Sequence, residues 1–338
     1  MRIFLYGTSA FAHWLTTPAV PRAEDLVGVK ALIDCRPTAE AVTYLHTHYP
    51  ALPLPLHFTV DKRVGRTPLH AVAHLNTFPL AGKPFVRIGN GVHAASPELC
   101  FVQMARELPF PELVKVGSAL CGSYRIDARR RNQLADRPPL TTRAKIERFL
   151  ERNPGITGAK QARRAVKLLA EKTASPPEAF LAVLLGADHR YGGFHLPDLE
   201  VNRRMTPGSK AQAIASQGSI TPDLVHRATK LAIEYDSNSE HLTPRQIAKD
   251  ARRRLALEAQ GYKVITVTAR QLGNRFDMQR IATEVARHLG RELRPQGKNF
   301  PQRQAELFQA GWSLSAYLNP CWLTGQEIIS SAAGLPQS

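Results

Sequence analysis

Cysteine is scarce in this 338-residue chain. Cys35, Cys100, Cys121 and Cys321 are scattered, with no C-x-x-C pair. That pattern excludes a Cys-based zinc site of the usual spacing and argues against a disulfide framework, so the sequence reads as a reduced, cytoplasmic protein. Long apolar runs are missing too: none approaches the roughly 18 residues of a membrane span. The opening "MRIFLYGTSAFAHWL" contains Ala10-Phe11-Ala12, an A-x-A form, but its apolar stretch is too short for a signal peptide. A first strand leading into a helix is expected there. Aromatic residues are only 7% and no ribonucleoprotein-type motif is present, which leaves no platform for stacking single-stranded bases and disfavours RNA. Acidic residues are also few, 28 against 45 Lys and Arg, giving a formal net charge of +17. A globular protein that basic is expected to meet a polyanion, with double-stranded DNA foremost and no membrane. The plain alternative is a basic but inert surface. Nothing in the sequence sets an oligomeric state.

What is present is enough apolar material, 43% of residues, for two average domains. A boundary is expected near "NQLADRPPLTTRAK", after Arg129-Arg130-Arg131, where the chain turns polar and proline-bearing. Residues 1–140 then form an N-terminal α/β module, to which regulatory and nucleic-acid-binding roles are both open. Residues 141–305 form a second domain, and 306–338 a helix and tail. The N-terminal part holds His46, His48, His57, His70, His74 and His93. His70 and His74 have the i, i+4 spacing of a helical metal pair, but no Glu follows His70 and no third ligand is evident, so separate core or surface histidines are the better reading. "FVQMARELPFPELVKVGSALCG" has the apolar spacing of helix, turn, helix.

The second half punctuates itself clearly. Ser175, Pro176 and Glu178 suit the N-cap, N1 and N3 positions of a helix over "SPPEAFLAVLLG". "SITPDLV" and "KLAIEYD" read as paired strands joined by a short link, residues 226–229. "HLTPRQIAKDARRRLALEAQG" reads as a helix with Thr243 and Gln246 as a capping box. Its expected apolar stripe is Ile247, Ala251, Leu255 and Ala259. "YKVITVTA" is a third strand and "DMQRIATEVARHLG" another amphipathic helix. The order gives an α/β sandwich around a mixed sheet.

In "LAIEYDSNSEHL", two acids arrive before the apolar run has ended. Side chains alternate along a strand, so Glu234 and Asp236 share a face opposite Ile233 and Tyr235. With an even-length link, Val225 pairs with Lys230 and Asp223 with Ala232, which adds Asp223 to that face. An odd link would reverse the parity. Three gathered carboxylates repel one another and call for a cation. Their hard oxygens suit Mg²⁺ or Mn²⁺, and a divalent ion on a basic chain points to phosphodiester hydrolysis.

These residues resemble the PD-(D/E)xK nuclease superfamily. The nearer likeness is to its very-short-patch-repair-like branch, of the type found in actinobacterial proteins behind an N-terminal module similar to abortive-infection antitoxins. The likeness rests on Ser175-Pro176-Pro177-Glu178, Gly192-Gly193-Phe194, Asp223, Glu234-Tyr235-Asp236, His241, Asp250 with Arg253, and Gly261-Tyr262-Lys263-Val264. It spans roughly residues 90–305, most specifically 175–268. It implies a restriction-endonuclease-like α/β/α core, metal ligation by Asp223 and Glu234 with Glu178 nearby, and Asp236 and His241 beside the scissile phosphate. The wider superfamily ends its motif in lysine where this chain has Asp236; Lys230 and Lys249 are candidate substitutes.

Each residue also has a plain reading. Glu178 can be a capping glutamate, Asp223 a strand-end aspartate and His241 a loop histidine. Asp250 can pair with Arg253 or Arg254 one turn away. Arg245, Lys249, Arg252 and Arg253 can grip phosphate or be a solvated face. The sequence therefore supports a metal-dependent DNA endonuclease, in repair or in defence against phage and mobile elements. Its alternative is a non-catalytic DNA-binding or antitoxin-like regulator on the same fold.

Overall fold

The structure is a computed structural model. It describes residues 2–208, 211–212, 218–236, 244–295 and 297–312, and at 244–247 and 249 the backbone alone. His241, the side chains of Arg245 and Lys249, the capping box at Thr243 and Gln246, Ile247 and the tail beyond 312 lie outside the described residues.

The chain opens with β1 (Ile3–Leu5) and α1 (Gly7–Thr16), the strand-into-helix start expected from the sequence. There follow β2 (Leu26–Val27), α2 (Ala39–His48), β3 (Leu56–Val60), β4 (Ala71–Leu75), β5 (Phe85–Gly89) and β6 (Val92–Ala95). They form a six-stranded sheet in the order β2-β5-β6-β1-β3-β4, mixed in direction. The helix–turn–helix is α3 (Pro97–Glu107) and α4 (Phe110–Cys121), each started by a proline in its first turn. Both are buried on nearly every side, because α1, the sheet and the later helices enclose them.

The hairpin β7 (Tyr124–Ile126) and β8 (Leu134–Asp136) comes next, with Arg129-Arg130-Arg131 in its turn. Then come α5 (Arg143–Arg152), α6 (Ala159–Ala165) and α7 (Pro176–Gly186). Ser175 caps α7 and accepts the Glu178 N–H, as its sequence position implied. The hydrophobic core runs through this region without a break, from Ile3 to Trp312.

The second sheet comprises β9 (Glu200–Val201), β10 (Leu224–His226), β11 (Leu231–Asp236) and, after α8 (Pro244–Glu258), β12 (Lys263–Thr268), in the order β12-β11-β10-β9. β11 runs antiparallel to β10 and parallel to β12, so this sheet is mixed as well. Three helices close the described chain: α9 (Ala269–Leu272), α10 (Arg275–His288) and α11 (Phe300–Gln309).

Alternation along β11 decides the layering. Leu231 and Ile233 join the main core with α7 and α10. Ala232 points the other way and packs with Val264, Ala256 and Leu257 under α8. Helices therefore cover both faces of the second sheet. The protein is α/β.

Two expectations about this region change. The link between β10 and β11 does have four residues, but they are 227–230, so Asp223 sits opposite Glu234 instead of Ala232. The parity survives, because the slip moves each strand by one residue and keeps the link even. The stripe of α8 is also rotated. Ala251, Leu255 and Ala259 are exposed, whereas Arg253, Ala256, Leu257 and Gln260 turn toward the sheet. Small alanines on several faces make the apolar stripe ambiguous from sequence alone. A carboxylate on the sheet gives Arg253 a reason to face inward.

Candidate functional site

The acids of β11 lie on the face that α8 covers. Glu234 is 8% exposed. One oxygen, Oε2, accepts from Arg253 of α8, and the other, Oε1, is buried with no hydrogen-bond partner among the described residues. Asp223 is half-buried at the entrance to β10, and its Oδ2 accepts the Tyr235 N–H at 2.6 Å. The Asn202 N–H donates to the Asp223 carbonyl at 2.9 Å, so the turn after β9 fixes the same residue from its other side.

Glu178 reaches this end of the sheet from the first turn of α7. Its Oε1 accepts from the Ser175 hydroxyl at 2.8 Å. Its Oε2 accepts from the Ala174 N–H at 2.7 Å and from the Asn202 amide at 3.3 Å. Glu178 is thus both a cap and a neighbour of the acids. Asn202, which also donates to the Lys172 carbonyl at 2.8 Å, carried no sequence signal. It is brought in by a backbone at φ 44° that only a turn would reveal.

The electrostatics follow from which acids meet. Burial pushes the Asp223 carboxyl well above the ordinary aspartate range. The charges of Glu178 and Glu234 push it further, while the Tyr235 N–H and Arg253 oppose them. Burial also pushes Glu234 up, to about 7; Arg253 opposes that shift, and Glu178 and Asp250 add to it. Asp236 stands half-buried at the end of β11, opposite Thr268, and is not among the charges that dominate either shift.

Other expected roles fall elsewhere. Asp250 is exposed and makes no ion pair with Arg253 or Arg254; Arg253 pairs with Glu234 and Arg254 with Glu258. Arg252 is exposed, with no carboxylate within ion-pair distance among the described residues. Lys230 does not stand in for the missing lysine. It lies beyond the opposite end of β11, where its Nζ donates to the Gln260 carbonyl at 3.1 Å.

The donor chemistry fits a hard cation in part. Asp223 and Glu234 supply oxygens from one face, and Glu234 Oε1 is an orphaned buried acceptor. Mg²⁺ typically keeps several waters and needs only one or two protein carboxylates. Against this, Arg253 already holds one Glu234 oxygen, and Glu178 is committed to its cap. Among the described residues, no group of three or more His, Cys, Asp or Glu side chains is arranged to hold a metal ion. The set that fits is therefore Asp223 and Glu234.

A pH test follows. Glu234 titrates near 7 in the folded protein and near 4.5 unfolded, so over that interval the folded state holds the extra proton and ionisation disfavours it. In metal-free buffer, the unfolding free energy of Glu234→Gln relative to wild type is expected to improve by about 3 kcal/mol from pH 4.5 to 7. Half-buried His13 and His74 titrate low and act in the opposite direction, but they cancel in this difference. A difference that falls with pH would mean that the Arg253 pair outweighs desolvation.

Comparison of the chain with protein-family models, with curated proteins and with solved structures finds no match.

Proposed function

We propose that this chain is a metal-dependent DNA endonuclease with a restriction-endonuclease-like core of the PD-(D/E)xK kind, acting in repair or in defence against phage and mobile elements. The observation that carries the reading is the convergence of Asp223 and Glu234 on one face, beside Glu178, with both β-strand acids held above their ordinary titration range. A chain gathers carboxylates that repel in this way where something cationic is to be bound. The formal charge of +17 supports a DNA substrate. A bound Mg²⁺ or Mn²⁺ would supply an activated water and a counter-charge for the pentavalent phosphate. The protein would contribute the two carboxylates, with Asp236 at the strand end and the exposed guanidinium of Arg252 available to the DNA backbone.

One observation favours a second reading. The Arg253 guanidinium occupies Glu234 from the next helix and is itself a cation for the cluster. In a non-catalytic DNA-binding or regulatory protein on this fold, that pair would be the end state. In the enzyme, Arg253 would keep Oε2 and a metal would take Oε1, the oxygen it leaves free.

Calorimetry separates the two. The endonuclease reading expects Mn²⁺ to bind the wild type and not the Asp223→Ala, Glu234→Ala double variant. Absence of Mn²⁺ binding, together with DNA binding that weakens steeply with salt, would support the regulator.

A further inference from the structure

A second polar site lies in the N-terminal module, away from the acids. β3 and β4 are parallel neighbours with Thr59 opposite His74. Alternation puts His57 and Thr59 on one face, and Asn76 follows His74 two residues on. His57 Nδ1 and His74 Nε2 are 2.8 Å apart, a hydrogen bond that holds the two imidazoles together. His74 also stacks on Tyr6, with ring centroids 3.7 Å apart and planes within 4°. The Tyr6 hydroxyl donates to Glu107 at 3.2 Å. Burial lowers the pKa of both histidines, that of His74 to about 4. The sequence spacing of His70 and His74 was misleading. Residues 71–75 are a strand and His70 sits in the preceding turn at φ 62°, so the true partner of His74 is 17 residues away on the next strand.

Tyr6, Thr59 and His74 form one wall of a cavity of about 40 Å³, lined also by Asn76, Thr77, Gln103 and Arg106. That volume holds about three waters, the footprint of a small anionic group. One feature marks it as built for a ligand. Thr59, which lines it, is 3% exposed, and its hydroxyl has no partner among the described residues. Buried polar groups are nearly always satisfied, so this hydroxyl at the cavity wall points to a missing partner.

The charge at the mouth decides what that partner is. Arg106 is exposed and has no carboxylate within ion-pair distance among the described residues, and its neighbour Glu107 accepts from Tyr6. Arg106 and Thr157 also line a neighbouring groove that carries Lys160 and Arg164. One guanidinium, several hydroxyl and amide donors and a cationic approach match a tetrahedral oxyanion.

We propose that this cavity binds the phosphate group of a small phosphomonoester, with Arg106 as its charge partner and Thr59 as its buried donor. The site is independent of the acids of the second sheet.

Calorimetry on the full chain tests it, with inorganic phosphate, ribose 5-phosphate and a 5′-phosphorylated oligonucleotide as probes. Ribose 5-phosphate is expected to bind, with Kd weakened about tenfold by Arg106→Gln and several-fold by Thr59→Val, and unchanged by Asp223→Ala. Arg106 is exposed and valine is isosteric with threonine, so circular dichroism should show both variants folded. Three outcomes would overturn the proposal: no binding of ribose 5-phosphate, binding that neither variant weakens, or binding of the oligonucleotide alone.

Discussion

Glu234→Ala is expected to lower Mg²⁺- or Mn²⁺-dependent nicking of supercoiled DNA by a factor on the order of 10³, the scale of losing a principal source of transition-state charge stabilisation. The expectation rests on position. Glu234 is buried, its Oε1 has no partner among the described residues, and Asp223, one residue before β10, falls opposite it when the β10–β11 register is extended. Alanine removes the orphaned oxygen of the proposed metal ligand and leaves the Arg253 charge to act on Asp223 without Glu234. Asp223→Ala should have a comparable effect, and the double variant little more, because residues that act as one unit are not additive. Arg252→Ala should instead weaken DNA binding modestly and make it less salt-dependent, since an exposed guanidinium acts through backbone charge. Equal nicking by wild type and the Asp223→Ala, Glu234→Ala double variant would show that these carboxylates are not the site. The same assay addresses Arg253. If it is a permanent counter-cation, no metal should support cleavage at any concentration.

The largest stability loss is expected from Gly193→Ala, about 3 kcal/mol. The Gly192-Gly193-Phe194 segment folds back over the end of α7. Phe194, His195 and Leu196 donate their N–H groups to the carbonyls of Leu184, Ala187 and Leu185, which satisfies the acceptors that a helix C-terminus leaves open. A Cβ at Gly193 would stand 2.2 Å from the Ala187 carbonyl oxygen, in backbone that cannot move without breaking those bonds. Gly192 is held at φ 85°, and a Cβ there would meet the backbone of Arg303 and Gln304 at 2.5 Å. The control is Gly186→Ala, in the last turn of the same helix. There a Cβ meets nothing within 4 Å, and alanine should be neutral or stabilise by about 0.5 kcal/mol. Urea denaturation at constant m-value distinguishes the two. Equal midpoints for both variants would mean that the segment is free to shift.

Local chemistry was legible in the sequence. Ser175 and Pro176 announce the start of α7, because a capping hydroxyl and a fixed φ act within one turn. The face shared by Asp223 and Glu234 follows from a period of two and an even link, and the one-residue slip in register left it intact. The Gly-Gly pair was visible as a motif, but its reason was not, because the atoms that exclude a side chain belong to Ala187 and to α11.

The sequence by itself determined the α/β alternation, the helix start at Ser175 and the parity that aligns the acids. Each depends on residues a few positions apart, where backbone geometry leaves few choices. Only the tertiary structure decided which cation meets Glu234, how α8 is rotated and that His57 stands against His74. Those outcomes depend on which surfaces desolvate one another across many residues of chain. Burial makes a carboxylate recruit the arginine that the helix would otherwise leave in water.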